Sequence, residues 1–104
     1  MPKSWSELKA ARAGDSEVRA GYERARLAHE FGMRVRSRRD ELGLTQLDLA
    51  RSVGTSQPAI ARLEAGGTQP TLETIAALSR ALDTTWLIGP TGVGAAATEG
   101  NANL

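Results

Sequence analysis

The sequence predicts an all-α protein, a bundle of five or six helices with at most one short strand near the C-terminus. Apolar residues recur at helical spacing along most of the chain, residues that cap helices precede several of these runs, and glycines follow them. The length of 104 residues corresponds to one small domain with extensions. We therefore expect a single modest core.

The first third of the chain predicts two helices. Residues 4–7 have the S-x-x-E form of a capping box, which begins a short helix that stops at Gly14. Asp15 then caps a second helix that can run as far as Leu42. Gly32 is the expected place for this helix to bend or restart.

Three further short helices are predicted over residues 46–53, 57–64 and 72–82. Their expected N-caps are Thr45, Thr55 or Ser56, and Thr71. Gly54 ends the first of them, and Pro58 lies in the first turn of the next, where its missing N–H is harmless.

The apolar positions of these helices predict the core. It comprises Leu44, Leu49, Val53, Ile60, Leu63, Leu72, Ile75, Leu78 and Leu82, whereas Leu47 should point outward. Residues 84–88 are β-branched or aromatic in part and predict one short edge strand. Residues 89–104 are poor in large apolar side chains, so we expect them to be disordered.

Composition excludes several classes of function. The chain has no Cys and a single His, His29, which argues against a disulfide, a thiolate metal site or an imidazole metal cluster. No arrangement of nucleophile and base, no phosphate-binding glycine loop and no pair of carboxylates is apparent, so we expect neither an enzyme nor a cofactor. No apolar stretch resembles a signal peptide or a membrane span, which predicts a cytoplasmic protein.

Charge gives a mixed indication about nucleic acid. Thirteen Lys and Arg oppose twelve Asp and Glu, for a net charge of +1. Arg supplies nearly all the basic residues, however, and its forked guanidinium suits contacts with phosphates and base edges. Within residues 31–64 four arginines fall in six consecutive positions, at 34, 36, 38 and 39. Modest phosphate neutralisation per chain implies that useful DNA affinity requires a dimer.

Residues 46–64 have the spacing of a helix-turn-helix, with two helices of about eight residues joined at Gly54 and the small Ala50 allowing their close approach. The wider pattern R-x-x-x-G-L-T-Q-x-x-L-A-x-x-x-G-x-S-Q-x-x-I-x-x-x-E-x-G begins at Arg39. It resembles the lambda-repressor and Cro family, also called the xenobiotic response element (XRE) family. The resemblance covers residues 31–83 and implies binding to double-stranded operator DNA as a homodimer.

The resemblance implies which residues meet DNA. Short polar side chains on the first turn of the recognition helix read base edges in the major groove. The predicted base contacts are Ser56, Gln57, Pro58 and Arg62. Pro58 stands where the family often has a polar residue. We therefore expect fewer hydrogen bonds between α-helical side chains and base edges here than in phage repressors. The predicted backbone contacts are Gln46, Thr45, Arg34, Arg38, Gly67 and Thr68, with Gln46 also supporting Gln57.

Other arginines have predicted roles within the protein. The family pattern implies that Arg39 and Glu64 form a buried or half-buried ion pair between the first helix and the recognition helix. Arg36 can pair with Asp40 four residues later. Arg34 and Arg38 can equally form a solvated helix face, which is the alternative to their phosphate contacts.

Residues 1–30 form an extension beyond the DNA-binding part, and residues 84–104 form a strand and tail. The extension carries apolar anchors in a charged context, which either fold back on the bundle or dock on a partner. The candidate partner contacts are Trp5, Leu8, Val18, Tyr22 and Glu23. The order of parts resembles, more loosely, HigA-type antitoxins, which bind a HigB/RelE-type mRNA-cleaving toxin and repress their own operon. The alternative is a repressor without a toxin partner.

Overall fold

The computed structural model describes residues 5–97 and the side chains of residues 15–96. In this part of the chain there are four α-helices followed by a β-hairpin. The elements are α1 (Trp5–Glu41), α2 (Gln46–Val53), α3 (Gln57–Glu64), α4 (Leu72–Leu82), β1 (Thr84–Gly89) and β2 (Gly92–Ala97). The prediction of five or six helices is therefore wrong, although the mostly helical class is confirmed.

Helix α1 is one continuous element of 37 residues, not two helices. The predicted stop at Gly14 does not occur, because a glycine in a helix costs only about 1 kcal/mol relative to alanine and no proline follows it. The predicted restart at Gly32 also does not occur, because α1 is continuous through this residue. Gly32 is instead a packing position, since a Cβ there would overlap Leu63 O and lie 2.7 Å from Glu64 O. The predicted capping residue Ser4 lies outside the described residues.

The helix-turn-helix follows the local signals of the sequence. Thr45, Ser56 and Thr71 cap α2, α3 and α4, and each side chain accepts a hydrogen bond from a backbone N–H three residues later. Gly54 ends α2 in the left-handed conformation, with φ of 81°. This residue turns the chain so that α3 can start three residues later, at Gln57, and cross α2.

The core lies where α1, α2, α3, α4 and β2 meet. Its fully buried side chains are Val35, Leu49, Ile60, Leu78 and Leu82, with Phe31, Leu63 and Val93 nearly as enclosed. Leu44, Val53 and Ile75 are partly buried against this cluster, and Leu47 is exposed as predicted. Leu72 was predicted as core but is 84% exposed, because it occupies the first position of α4, well before the buried residues Leu78 and Leu82 of that helix.

The hairpin packs β2 against α1. β1 and β2 are antiparallel, with Ile88 opposite Val93 and Gly89 opposite Gly92. The predicted strand is present, but the expectation of disorder from residue 89 is wrong for Gly92–Ala97. The Phe31 and Trp86 rings meet edge to face at 5.1 Å, and Trp86 Nε1 donates to Ile75 O at 3.2 Å. These contacts fix the hairpin to both α1 and α4.

Candidate nucleic-acid interface

The N-terminal turn of α3 presents polar side chains at the surface. Ser56, Gln57, Pro58 and Arg62 are all exposed. The opposite side of α3 is held by the core through Ile60, which is 2% exposed, and Leu63. Because one face of this short helix is locked in the core, the exposed face has a fixed orientation.

A chain of side-chain hydrogen bonds runs from the surface of α3 to the interior. Gln57 Nε2 donates to Gln46 Oε1 at 2.7 Å, and Gln46 Nε2 donates to Glu64 Oε1 at 3.0 Å. Glu64 is in turn bound by Arg39. The support of Gln57 by Gln46 was predicted, whereas the bond between Gln46 and Glu64 was not. These two residues are 18 apart in sequence, and no local pattern connects them.

The ion pair at the inner end of this chain is nearly enclosed. Arg39 is 8% exposed and Glu64 7%. Arg39 Nε donates to Glu64 Oε2 at 2.7 Å and Nη2 donates to Oε1 at 2.9 Å, which is the strong bidentate geometry. Arg39 Nη1 also donates to Leu44 O, and hydrogen bonding to Glu64 raises the pKa of Arg39. The predicted ion pair is therefore present and ties α1 to α3. Arg39 Nη1 also lies 3.4 Å from Asp40 Oδ1, the carboxylate predicted to pair with Arg36.

The two glutamines keep hydrogen-bonding capacity for a ligand. A primary amide has two N–H donors and an acceptor oxygen. Gln57 uses one N–H on Gln46, so its Oε1 and second N–H remain available. Gln46 uses its Oε1 and one N–H, so one donor remains. The network holds the amide of Gln57 in place without using the groups that a base edge would need.

The start of α2 is fixed by a capping box. Asp48 N donates to Thr45 Oγ1 at 3.0 Å, and Thr45 N donates to Asp48 Oδ2 at 2.9 Å. The bond from the Thr45 backbone N–H holds the pKa of Asp48 below its ordinary value. The hydroxyl of Thr45 is thus engaged as an acceptor within the cap, while its O–H can still donate.

The loop after α3 is held close to that helix. Gly66 N donates to Leu63 O at 3.0 Å and Gly67 N donates to Arg62 O at 2.8 Å. Gly66 has a φ of 80°, and a Cβ there would lie 2.8 Å from the Cα of His29, so the loop meets α1 closely. Gly67 and Thr68 are exposed at the same end of the molecule as Arg62. The amide of Gly67 is engaged within the loop.

Arg34 bonds to the hairpin, and Arg38 bonds to the end of α4. Arg34 Nε donates to Val93 O at 3.0 Å. Arg38 Nε donates to Leu82 O at 2.9 Å, and its Nη2 donates to Asp83 O at 3.3 Å. Both guanidinium groups therefore anchor the C-terminal part of the fold to α1. Arg34 is nevertheless exposed and Arg38 is half-buried, and their contacts with phosphates stay a prediction.

The candidate partner contacts lie on the N-terminal part of α1. Val18 is 63% exposed and Tyr22 is 76% exposed. Glu23 is also exposed and forms an ion pair with Arg26 at 2.9 Å. The side chains of Trp5 and Leu8 lie outside the described part of the chain. Every side chain from Asp15 to Arg19 is exposed, so this segment of α1 projects away from the core.

The described residues were also searched for metal sites and membrane-spanning helices. Among the described side chains, those of residues 15–96, no group of three or more His, Asp or Glu is arranged to hold a metal ion. In the same part of the chain, no helix combines the length and hydrophobicity needed to cross a membrane.

Comparison with known proteins identifies the family of this arrangement. A helix-turn-helix family model matches residues 35–87. An uncharacterised HTH-type transcriptional regulator of Haemophilus influenzae is 34% identical over 90 residues, which cover 86% of this chain and 88% of the relative.

Two solved structures share the fold. The restriction-modification controller protein C.AhdI from Aeromonas hydrophila has a TM-score of 0.53 and 34% identity, over 54% of this chain and 85% of that protein. The clp gene regulator ClgR from C. glutamicum has a TM-score of 0.53 and 30% identity, over 54% of this chain and 73% of that protein. The match over residues 35–87, together with the relative that spans most of the chain, shows that this protein belongs to the helix-turn-helix family of the XRE type.

Proposed function

We propose that the protein is a sequence-specific, DNA-binding transcriptional regulator that represses by placing α3 in the major groove of operator DNA. The observation that carries this proposal is the exposed amide of Gln57 at the start of α3, held by Gln46 with its remaining donor and acceptor free. A pre-positioned amide loses little side-chain freedom on binding, which favours a specific contact over a merely electrostatic one.

The base contacts follow from the groups left available. Gln57 can accept from adenine N6 with Oε1 and donate to N7 with its second N–H, a bidentate pair that discriminates by about 1–3 kcal/mol. Ser56 accepts from Ala59 N as the helix cap, so only its O–H remains for a base. Pro58 offers an apolar surface to a thymine methyl, and Arg62 reaches guanine or a phosphate.

The contacts to the phosphate backbone are fewer than the sequence indicates. Gln46 keeps one N–H at the N-terminus of α2, where the helix dipole also favours a phosphate. Thr45 and the loop residues Gly67 and Thr68 complete the proposed backbone contacts. Arg34 and Arg38 are left out of the proposed surface because Val93 O of β2 and Leu82 O at the end of α4 already accept from their Nε groups. The proposed surface therefore carries little positive charge, and its salt dependence should be correspondingly shallow.

The test is selection of bound sequences from a pool of randomised duplexes, followed by titration of the selected and a scrambled duplex. Gln57→Ala should lower the ratio of specific to scrambled affinity by roughly 5- to 150-fold, the equivalent of about 1–3 kcal/mol. Arg62→Ala should weaken binding, whereas Arg19→Ala, an equally exposed arginine on the projecting part of α1, should not. An unchanged specificity ratio in Gln57→Ala would refute the placement of α3.

A second candidate activity is neutralisation of a HigB/RelE-type toxin by the N-terminal part of α1. The observation that favours it is the exposure of Val18 and Tyr22, which lie four residues apart on one side of a helix segment that projects from the core. Apolar anchors at this spacing suit docking into a groove of a partner protein. Glu17 and Glu23 on the same segment are available to a basic partner surface.

The test of the antitoxin role is co-purification with the product of the adjacent gene. Replacement of both Val18 and Tyr22 by Asp should abolish capture of that neighbour while leaving DNA binding intact. Arg19→Ala, between them in sequence, should capture the neighbour as the wild type does. Equal capture by all three proteins, or no capture by the wild type, would exclude this surface and leave the regulator without a toxin partner.

A further inference from the structure

At Val93 the outer edge of β2 is closed by side chains of α1. Val93 N donates to Glu30 Oε2 at 3.0 Å, and Val93 O accepts from Arg34 Nε at 3.0 Å. Both backbone groups of Val93 therefore point away from β1 and are satisfied by α1. The two side chains block the addition of another strand at this residue.

The outer edge of β1 differs, and its free groups can be assigned from the hairpin register. In an antiparallel pair, residues whose backbone groups point outward alternate with residues that bond across the ladder. Ile88 is opposite Val93, so Ile88, Trp86 and Thr84 direct their backbone groups to the outer edge of β1. Thr84 O accepts from Ser79 Oγ, which agrees with this assignment. Among the described residues, no hydrogen bond from outside the hairpin reaches the backbone of Trp86 or Ile88.

This open edge lacks the features that usually block strand addition. Natural edge strands carry charged side chains, internal prolines or bulges that discourage pairing. Residues 84–97 contain no Asp, Glu, Lys or Arg, and Pro90 lies in the turn outside β1. Leu87 and Ile88 beside the open groups are 57% and 53% exposed. An uncharged, apolar edge with four unused backbone groups fits another strand of the same chemistry.

We propose that β1 of a second copy of this chain pairs antiparallel with this edge, giving a four-stranded sheet across a two-fold axis at Leu87. In this register Trp86 opposes Ile88 of the second copy, and Ile88 opposes Trp86 of the second copy. The four resulting hydrogen bonds satisfy the open groups of Trp86 and Ile88. A two-fold axis at Trp86 would instead oppose Ile88 to Thr84, whose oxygen is taken by Ser79. An axis at Ile88 would oppose Trp86 to Pro90, which has no N–H.

A second copy is preferred to a different protein because the edge is complementary to itself. With no ionisable group in the hairpin, two-fold pairing places no like charges together. A symmetric pair also supplies two copies of α3 for an operator made of two half-sites. This last argument rests on the proposed function, whereas the open edge and its register do not.

Cross-linking tests the register directly. The chain has no cysteine, so a Leu87→Cys variant carries a single thiol. Opposed residues that do not bond across an antiparallel ladder have Cα atoms about 4.5 Å apart, within the range of a disulfide. Mild oxidation should convert Leu87→Cys to a covalent dimer and leave Ala95→Cys, an exposed position on β2, as monomer. Absence of the Leu87→Cys dimer, or equal cross-linking of both, would overturn the proposal.

Backbone substitution tests the same edge without a new bond. Ile88→Pro removes an outward N–H from β1 and leaves the hairpin ladder intact. Ala95→Pro removes the matching outward N–H from β2, since Ala95 is opposite Trp86. By light scattering, wild type and Ala95→Pro should have twice the 11.0 kDa chain mass, and Ile88→Pro should have the chain mass. A dimeric Ile88→Pro would overturn the proposal, and if this variant fails to fold, the cross-linking result decides.

The outcomes also separate this inference from the proposed function. A Leu87→Cys dimer in a protein that selects no DNA sequence would sustain the interface and refute the regulator. Sequence-selective binding by a protein that does not cross-link at Leu87 would refute the interface alone.

Discussion

Removal of the Glu64 carboxylate is expected to destabilise the fold and weaken DNA binding together. Glu64→Ala leaves the guanidinium of Arg39 in a site that is 8% exposed, without its bidentate partner. Breaking a buried pair in this way typically costs about 3–5 kcal/mol. Domains of this size have about 5–15 kcal/mol of stability in total. The expected fall in Tm is about 12–40 °C, at 4–8 °C for each kcal/mol.

A double variant shows whether this loss comes from the unpaired charge. Arg39→Met combined with Glu64→Leu replaces both ions by apolar groups of similar length, a change that is often neutral or stabilising for buried pairs. Thermal melts by circular dichroism should show a large drop for Glu64→Ala and recovery in the double variant. An equal drop in both would mean that packing volume, not the stranded guanidinium, dominates.

The same variants separate stability from recognition. Glu64 Oε1 accepts from Gln46 Nε2, which leaves Gln46 Oε1 to hold Gln57. Even if the double variant regains the wild-type Tm, it should therefore bind operator DNA less specifically. The reason is that Gln46 Nε2 loses its acceptor, Glu64 Oε1. A Glu64→Ala protein with unchanged Tm that fails to bind DNA would refute the structural role of the ion pair.

Three further changes test other parts of the account. Gly32→Ala should lower stability by about 1–3 kcal/mol in denaturant melts because its Cβ overlaps Leu63 O, while Gly21→Ala in the exposed part of the same helix should raise it slightly. Arg34→Ala should speed hydrogen exchange in the hairpin, because the Arg34 guanidinium holds Val93 O. The salt dependence of DNA binding should stay unchanged, and a shallower dependence would show that Arg34 contacts a phosphate. The lowered pKa of Asp48 means that its contribution is present above pH 4 and lost as pH falls through the folded-state pKa, so Asp48→Asn should flatten the acid side of a plot of Tm against pH.

The elements that sequence predicted well are those whose signals are local. The bounds of α2 and α3, and the caps Thr45, Ser56 and Thr71, follow from residues within one turn of each helix end. The pairing of Arg39 with Glu64 spans 25 residues and came from the resemblance to a known family, not from local pattern.

The features that sequence reasoning missed depend on contacts between distant segments. Strand β2 is rich in glycine and alanine, which have low β-propensity, and it is ordered by pairing with β1 and by Glu30 and Arg34. The same packing holds the Arg34 guanidinium at Val93 O, an acceptor 59 residues away in sequence. The continuity of α1 through Gly32 similarly reflects the close approach of α3, which periodicity within α1 does not reveal.

The most direct test of the central claim is selection from randomised duplexes with wild-type protein and Gln57→Ala in parallel. The wild type should enrich an inverted repeat, with half-sites about one helical turn apart, and Gln57→Ala should lose preference at the adenine positions that Gln57 reads. Enrichment of no sequence by the wild type, or of the same sequence with the same preference by Gln57→Ala, would contradict the claim.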